Sequence, residues 1–473
     1  MNTRSCQVLV IGAGPGGYVA AIRSAQLGLD TVIVEADKAG GTCLIRGCIP
    51  SKAMIHAAER FESISQHSTD GGHMGIMSSS PELDMKGLVS WKDSIVQKLN
   101  QGVEGLLKAA GAELINGWAE FLDAKTCKVN TQDGVLRIEA ENVILATGSS
   151  PIELPFMPFD EENICSSTGA LDLNDLPSKV AIVGGGYIGL ELGCALTKLG
   201  SEVTVIEGLD SVLSIFDKEL RRPLEIWLKK HGVKLNTNCM AKGADVTEEG
   251  VTMRWTDKGG EEHSLDVDTV LVTVGRRPNT QGWGLEEMGL RMDDSGRFIA
   301  IDNQCKTNMP GVYAIGDVTG DPMLAHRASA QGEMVAEIIA GQKRIWDKVA
   351  IPAIVFTEPE IVSVGYTPEE AKEAGEDIIV GKFPLAANGR ALTLEAEKTN
   401  GFVRVIAREE DHVILGIQAV GSHVAELSGE FVLALEMGAV LEDVAATVHA
   451  HPTMTESFHE SILKTLGHAI HIS

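Results

Sequence analysis

Val8-Leu9-Val10-Ile11-Gly12-Ala13-Gly14-Pro15-Gly16-Gly17 is an apolar, β-branched run entering a glycine-rich turn. After it, Tyr18 to Leu27 carry apolar residues at helical spacing and stop at Gly28, and Thr31-Val32-Ile33-Val34 then leads to Glu35. The pattern is a βαβ unit with G-x-G-x-x-G at Gly12, Gly14 and Gly17, and an acid 18 residues after the third glycine. Such glycines make a tight turn and let the backbone approach a pyrophosphate at the helix amino terminus, while the acid accepts hydrogen bonds from a ribose diol. One such turn is weak evidence. The unit occurs twice, however: Val180-Ala181-Ile182-Val183 enters Gly184-Gly185-Gly186-Tyr187-Ile188-Gly189, and Val203-Thr204-Val205-Ile206 ends at Glu207, again 18 residues on. Two dinucleotide sites are therefore expected.

Each copy has a later strand that ends in glycine, Asn142 to Gly148 (with Thr147) after the first and Val270 to Gly275 after the second. Pro151, Pro155 and Pro158 interrupt regular structure between them. The expected division is 1–150 and 151–279 for the two dinucleotide-binding domains, 280–350 for a central segment completing the first site, and 351–473 for a carboxy-terminal α/β domain. The fold class is α/β with two Rossmann-like domains. Glu207 would accept from a free 2′-hydroxyl and repel a 2′-phosphate, so the second site prefers NAD to NADP. Arg276 and Arg277 are the main reservation.

With 44% hydrophobic residues among 473, the chain can bury large cores, which excludes disorder and a disulfide-stapled miniprotein. A formal charge of −26 argues against nonspecific nucleic-acid binding and would attract a basic partner. No long uncharged apolar stretch suggests a membrane span. The amino terminus leads at once into the first strand, so no signal peptide is expected and the cytoplasm is the expected compartment. No metal-ligand spacing appears, and no metal is expected.

Of eight cysteines only Cys43 and Cys48 lie close together, in Gly40-Gly41-Thr42-Cys43-Leu44-Ile45-Arg46-Gly47-Cys48-Ile49-Pro50-Ser51-Lys52. Two inert buried thiols are the bland alternative. Against it, the spacing lets the sulfurs meet in disulfide geometry. Pro50 and the residues after it also suggest that Cys48 opens a helix, where the helix dipole and Lys52 one turn on would stabilise a thiolate. A flavin beside the pair would supply a two-electron partner.

With Tyr313-Ala314-Ile315-Gly316-Asp317-Val318, Met323-Leu324-Ala325-His326-Arg327-Ala328 and His449-Ala450-His451-Pro452-Thr453-Met454-Thr455-Glu456, the sequence resembles the dihydrolipoyl dehydrogenases, within the glutathione-reductase-like flavoproteins, along essentially its whole length. The resemblance implies FAD in the first unit, with Gly117, Thr147 and Gly148 near it, and NAD in the second. Asp317 would hold the ribityl chain, Met323 to His326 would lie under the isoalloxazine, and Lys52 would sit near flavin N5 with Glu191 as its neighbour. Cys43 would be the exchange thiol and Cys48 the flavin-facing one.

Imidazole titrates near neutrality and suits the deprotonation of a dithiol. In His451-Pro452-x-x-x-Glu456 a carboxylate would fix the ring's tautomer, and His451 is favoured over His449, which lacks that partner spacing. By the same resemblance the carboxy-terminal domain forms a two-fold homodimer in which this pair faces the cysteines of the other subunit. The partners implied are a lipoyl domain as substrate and the E2 acyltransferase of a 2-oxo-acid dehydrogenase complex, which this protein would serve as E3, with bacterial branched-chain forms favoured. Glutathione reductase, disfavoured by Glu207, mercuric and large thioredoxin reductases, whose extra carboxy-terminal cysteines are missing here, an NADH oxidase and a non-catalytic subunit are the rivals. Ile45-Arg46 departs from the usual Asn-Val, and Arg46 is expected to make the loop electropositive and raise the thiolate fraction.

Overall fold

The computed structural model describes residues 2–69, 71–248 and 250–472. It divides into two compact units that interleave along the chain: Met1–Ala57 with Glu82–Asp175 and Val274–Asp347, and Ala58–Pro81 with Leu176–Thr273 and Lys348–Ser473. Tertiary contacts thus group the chain differently from its motifs.

In the first unit, β1 (Asn2–Ile11) lies between β2 (Thr31–Glu35) and the strand Gly134–Leu145, parallel to both. Val8, Leu9 and Val10 are fully buried because both faces of β1 are covered. Val8 and Val10 join a core with Ala20, Ile33 and Val335; Leu9 and Ile11 join another with Phe121, Val129 and Trp283. This explains the continuous apolar run. The helix α1 (Pro15–Gln26) packs against Ala325–Ile339 so closely that a Cβ on Gly16 would lie 3.0 Å from the Ala328 carbonyl oxygen. Residues 280–350 reach the first sheet through Val312–Ala314, parallel to Gly134–Leu145.

The second unit repeats the plan. Lys234–Asn236, Glu202–Ile206, Lys179–Val183 and Thr269–Val272 run parallel in that order. Its carboxy-terminal part is an antiparallel sheet in the order Ala353–Val355, Glu360–Gly365, Ile414–Gly421, Phe402–Arg408, Ile378–Pro384. Ser428–Glu436 and Glu456–Thr465 join its core through Phe431 and Phe458, whose rings meet edge to face at 5.0 Å.

Candidate active site

The two glycine turns are nearly superimposable in conformation. Gly12 and Gly184 have φ of +93° and +102°, values that favour glycine. Gly14 and Gly186 cap their helices with φ of −69° and −77°, and neither cap supplies a side-chain hydrogen bond. The helix amino-terminal N–H groups are thus left to a ligand. A Cβ on Gly17 would overlap the Gly12 carbonyl oxygen, and one on Gly189 the Gly184 oxygen, so these glycines close the turns. A Cβ on Gly186 would meet nothing within 4 Å. That space is where a phosphate would approach.

The acids are positioned alike. Glu35 accepts from the N–H of Ala13 at 2.7 Å and of Asp37 at 2.9 Å. Glu207 accepts from Gly185 at 2.5 Å and Leu209 at 2.7 Å. Each carboxylate is tied to its own turn, with lone pairs left for a diol. Burial raises the Glu35 carboxyl above its ordinary value, opposed by the N–H groups of Ala13 and Ala36 and by Arg46. These residues fit two dinucleotides. Arg276 donates to the Ser149 hydroxyl at 2.7 Å and carbonyl at 2.6 Å, so it is committed in the first unit.

Other expected cofactor residues gather near the first turn's strands. The Ser149 hydroxyl donates to Asp317 at 2.5 Å, the Thr147 hydroxyl to the Asn279 carbonyl at 2.9 Å, and Asn279 N–H to the Gly148 carbonyl at 2.9 Å. Gly117 N–H donates to the Glu35 carbonyl at 2.8 Å. Met323 and Leu324 precede the helix Ala325–Ile339, whose first turn carries Ala325 and His326. Gly275, with φ of +115°, accepts from the Ile152 N–H at 3.0 Å. In the second unit Tyr187 and Ile188 open the helix Tyr187–Leu199, and Glu191, buried on it, accepts from the Phe356 N–H at 2.9 Å.

The segment between Gly40 and Gly47, expected as a loop, is a short helix α2 (Gly41–Arg46). Helix α3 (Cys48–His67) begins at Cys48. The two thiols hydrogen-bond, and this bond, then burial, then the charge of Cys48 hold Cys43 protonated well above the ordinary range, with Lys52 opposing. Arg46 pairs with Asp37, beside Glu35.

The histidines separate cleanly. Both ring nitrogens of His449 face acceptors, the Thr447 carbonyl at 3.0 Å and Glu430 at 2.9 Å, leaving neither free to take a substrate proton. His451 places only Nδ1 on Glu456, at 2.9 Å, and its side chain is 78% exposed, so Nε2 is presented outward. Glu456 also accepts from the Thr453 N–H at 2.8 Å. Burial opposes its ionisation, but that N–H and His451 outweigh burial and hold the carboxyl below its ordinary value.

Sequence reasoning missed several charged groups. Lys198, buried on the second nucleotide helix, meets Glu358 at 3.1 Å and Glu59 and Glu62 at 3.9 Å. Glu360 and the Glu460–His471 pair at 2.6 Å were equally silent. Lys198 and Glu358 lie 160 residues apart, so no spacing announces that pair. Asp257, Glu261 and His263 meet at a hairpin tip, where Asp257 Oδ1 already accepts from the N–H groups of Gly259 and Glu261.

Residues 6–332 match the family described as pyridine nucleotide-disulphide oxidoreductase, and residues 351–462 match its dimerisation domain. A dihydrolipoyl dehydrogenase of Pseudomonas aeruginosa is 51% identical over 98% of both chains, and one of Geobacillus stearothermophilus is 48% identical over 98% of this chain and 97% of its own. Among solved structures, LpdA of Mycobacterium tuberculosis is similar with a TM-score of 0.89 at 28% identity, covering 96% of this chain and 99% of that one. The HOCl-induced flavoprotein disulfide reductase RclA of Escherichia coli has a TM-score of 0.84 at 26% identity, covering 96% and 99%. With matches of this extent over both its parts, the chain belongs to the pyridine nucleotide-disulphide oxidoreductase family.

Proposed function

We propose that the chain is a dihydrolipoyl dehydrogenase, oxidising protein-bound dihydrolipoyl groups and reducing NAD⁺ as the E3 component of a 2-oxo-acid dehydrogenase complex. The observation that carries this is the Cys43–Cys48 thiol pair, with Cys48 opening α3 and Lys52 one turn on, acting on Cys43.

His451 Nε2 takes a proton from one substrate thiol, and Glu456 holds the ring and stabilises its charge. The thiolate attacks Cys43 Sγ of the oxidised pair, the Cys43–Cys48 bond breaks, and Cys48 leaves as the thiolate its position favours. The second substrate thiol then attacks the mixed disulfide, closing the lipoyl ring and freeing Cys43. One disulfide has formed and one has been broken, so the substrate's two electrons reside in the protein dithiol. The Gly12–Gly17 turn and Glu35 would hold FAD, which would supply a two-electron carrier between the dithiol and NAD⁺. The second turn holds NAD⁺ by its helix terminus and Glu207.

Two copies of the chain form the working unit through residues 351–473, each supplying His451 to the other's cysteines; the family's dimerisation pattern supports this. The E2 acyltransferase, of the branched-chain type, is the docking partner, and the charge of −26 suits a basic peripheral domain. No helix of the described residues is long and apolar enough to cross a membrane, and the bacterial cytoplasm is the proposed compartment. The test compares NADH-linked reduction of lipoamide, glutathione and mercuric ion. Lipoamide is expected to be reduced far faster, and a preference for either rival would overturn the assignment. Capture of E2 from a native lysate identifies the complex.

A further inference from the structure

The carboxy-terminal tail returns along the helix that carries Glu456. In Glu456–Thr465, Glu460 stands one turn beyond Glu456, about 6 Å along the axis, and is buried. Both its oxygens face His471: Nδ1 lies 2.6 Å from Oε1, and the backbone N–H points at Oε2 from 3.5 Å. The His468 N–H donates to the Leu463 carbonyl at 3.0 Å, which turns the tail back towards the helix. A buried carboxylate requires a partner, and the tail delivers one.

Resting on the assignment of His451 as the base, we propose that His471 is a positioning residue for it: by offsetting Glu460, His471 confines the negative charge felt by His451 to Glu456. Burial opposes the ionisation of Glu456, and His471 helps to hold it ionised, behind the Thr453 N–H and His451.

Other charges near this helix are engaged elsewhere or fixed. His449 is bonded to Glu430 and stacked on His459 at 4.8 Å. On the packed strands, Lys382 and Arg404 pair with Glu219, Arg404 also with Asp217, and Arg408 with Glu376 and Asp411. On the neighbouring helix Leu441–Ala446, Glu442 meets His412 at 2.6 Å, and Asp443 accepts from the Val440 N–H at 3.0 Å.

The test is kcat/KM for dihydrolipoamide against pH, in the FAD-loaded full-length protein with saturating NAD⁺. In His471→Ala the acid limb is expected to move up by about half a pH unit, because the charge of Glu460 then favours the His451 imidazolium. His471→Lys restores a cation and returns the limb, and so does the double variant Glu460→Gln/His471→Ala. Thermal unfolding run alongside reports lost tail packing, which the double variant does not repair. An unmoved limb in His471→Ala, or an equal shift in the double variant, overturns the proposal. His451→Gln separates the two levels: parental turnover there would sink the base itself, whereas its collapse beside an unmoved His471→Ala limb sinks only the role of His471.

Discussion

Cys48→Ser keeps the start of α3 but cannot form a disulfide or hold a thiolate at that helix end. Dihydrolipoamide turnover should fall by at least about a thousandfold, and parental turnover in a steady-state assay would rule the scheme out. Arg46 invites a second test at this scale. Its guanidinium sits on Asp37 and acts on Glu35, and Lys52 acts on Cys43. Arg46→Val should therefore leave the thiol titration in place and loosen retention of the first dinucleotide. As Arg46 is 38% exposed, the loss should be at most about 1 kcal/mol. Flavin release followed by fluorescence, beside a thiol titration, reads both; a moved titration would return Arg46 to the role its place in the loop suggested. The identity of the residue was plain in the chain. Its partner was not, because Asp37 belongs to the end of the preceding βαβ unit and meets Arg46 only when α2 folds back.

The nucleotide helices show which glycines serve packing and which serve a ligand. Gly189 touches its own turn, so Gly189→Ala should cost about 1–3 kcal/mol in stability. Gly186 faces open space, so Gly186→Ala should leave the melting temperature nearly unchanged while raising KM for NADH several-fold. Thermal melts with steady-state kinetics distinguish them, and equal melting losses would contradict this division. The strand Glu360–Gly365 supplies a pH test. Burial first, then Glu358, Glu59 and Glu426, push the Glu360 carboxyl up to about 7 from an ordinary 4.5, with the Ala425 N–H opposing. Between those values the folded chain holds a proton that the unfolded chain has released, so this group lowers stability as pH rises to about 7 and not further. Glu360→Gln keeps an acceptor for Ala425 and removes that loss. Stability at about pH 8 should rise by roughly 2 kcal/mol, with little gain near pH 4.5. A denaturant melt showing equal gains at both pH values would refute it.

At the scale of the whole molecule, a site shared between two copies predicts complementation. Cys48→Ser and His451→Gln chains are each inactive alone, yet their mixed dimer contains one site with both groups intact. Random mixing should recover about a quarter of parental activity, measured after co-expression; no recovery would mean that each chain completes its own site. What the chain alone determined was local: two glycine turns, two acids at equal spacing, the thiol pair and the His451–Glu456 pair are each confined to one short segment whose backbone follows from its residue types. The helical form of the cysteine segment escaped because residues 41–46 are held between Gly40 and Gly47 by contacts from elsewhere, not by their own propensity. Only the tertiary structure shows that both ring nitrogens of His449 face acceptors, since one of these is Glu430, 19 residues upstream. The same holds for the commitment of Arg276 to Ser149 and for the interleaving of the two compact units. Hydrogen bonds and burial are properties of neighbours in space, and a residue's spacing along the chain carries no record of a partner that folding brings from afar.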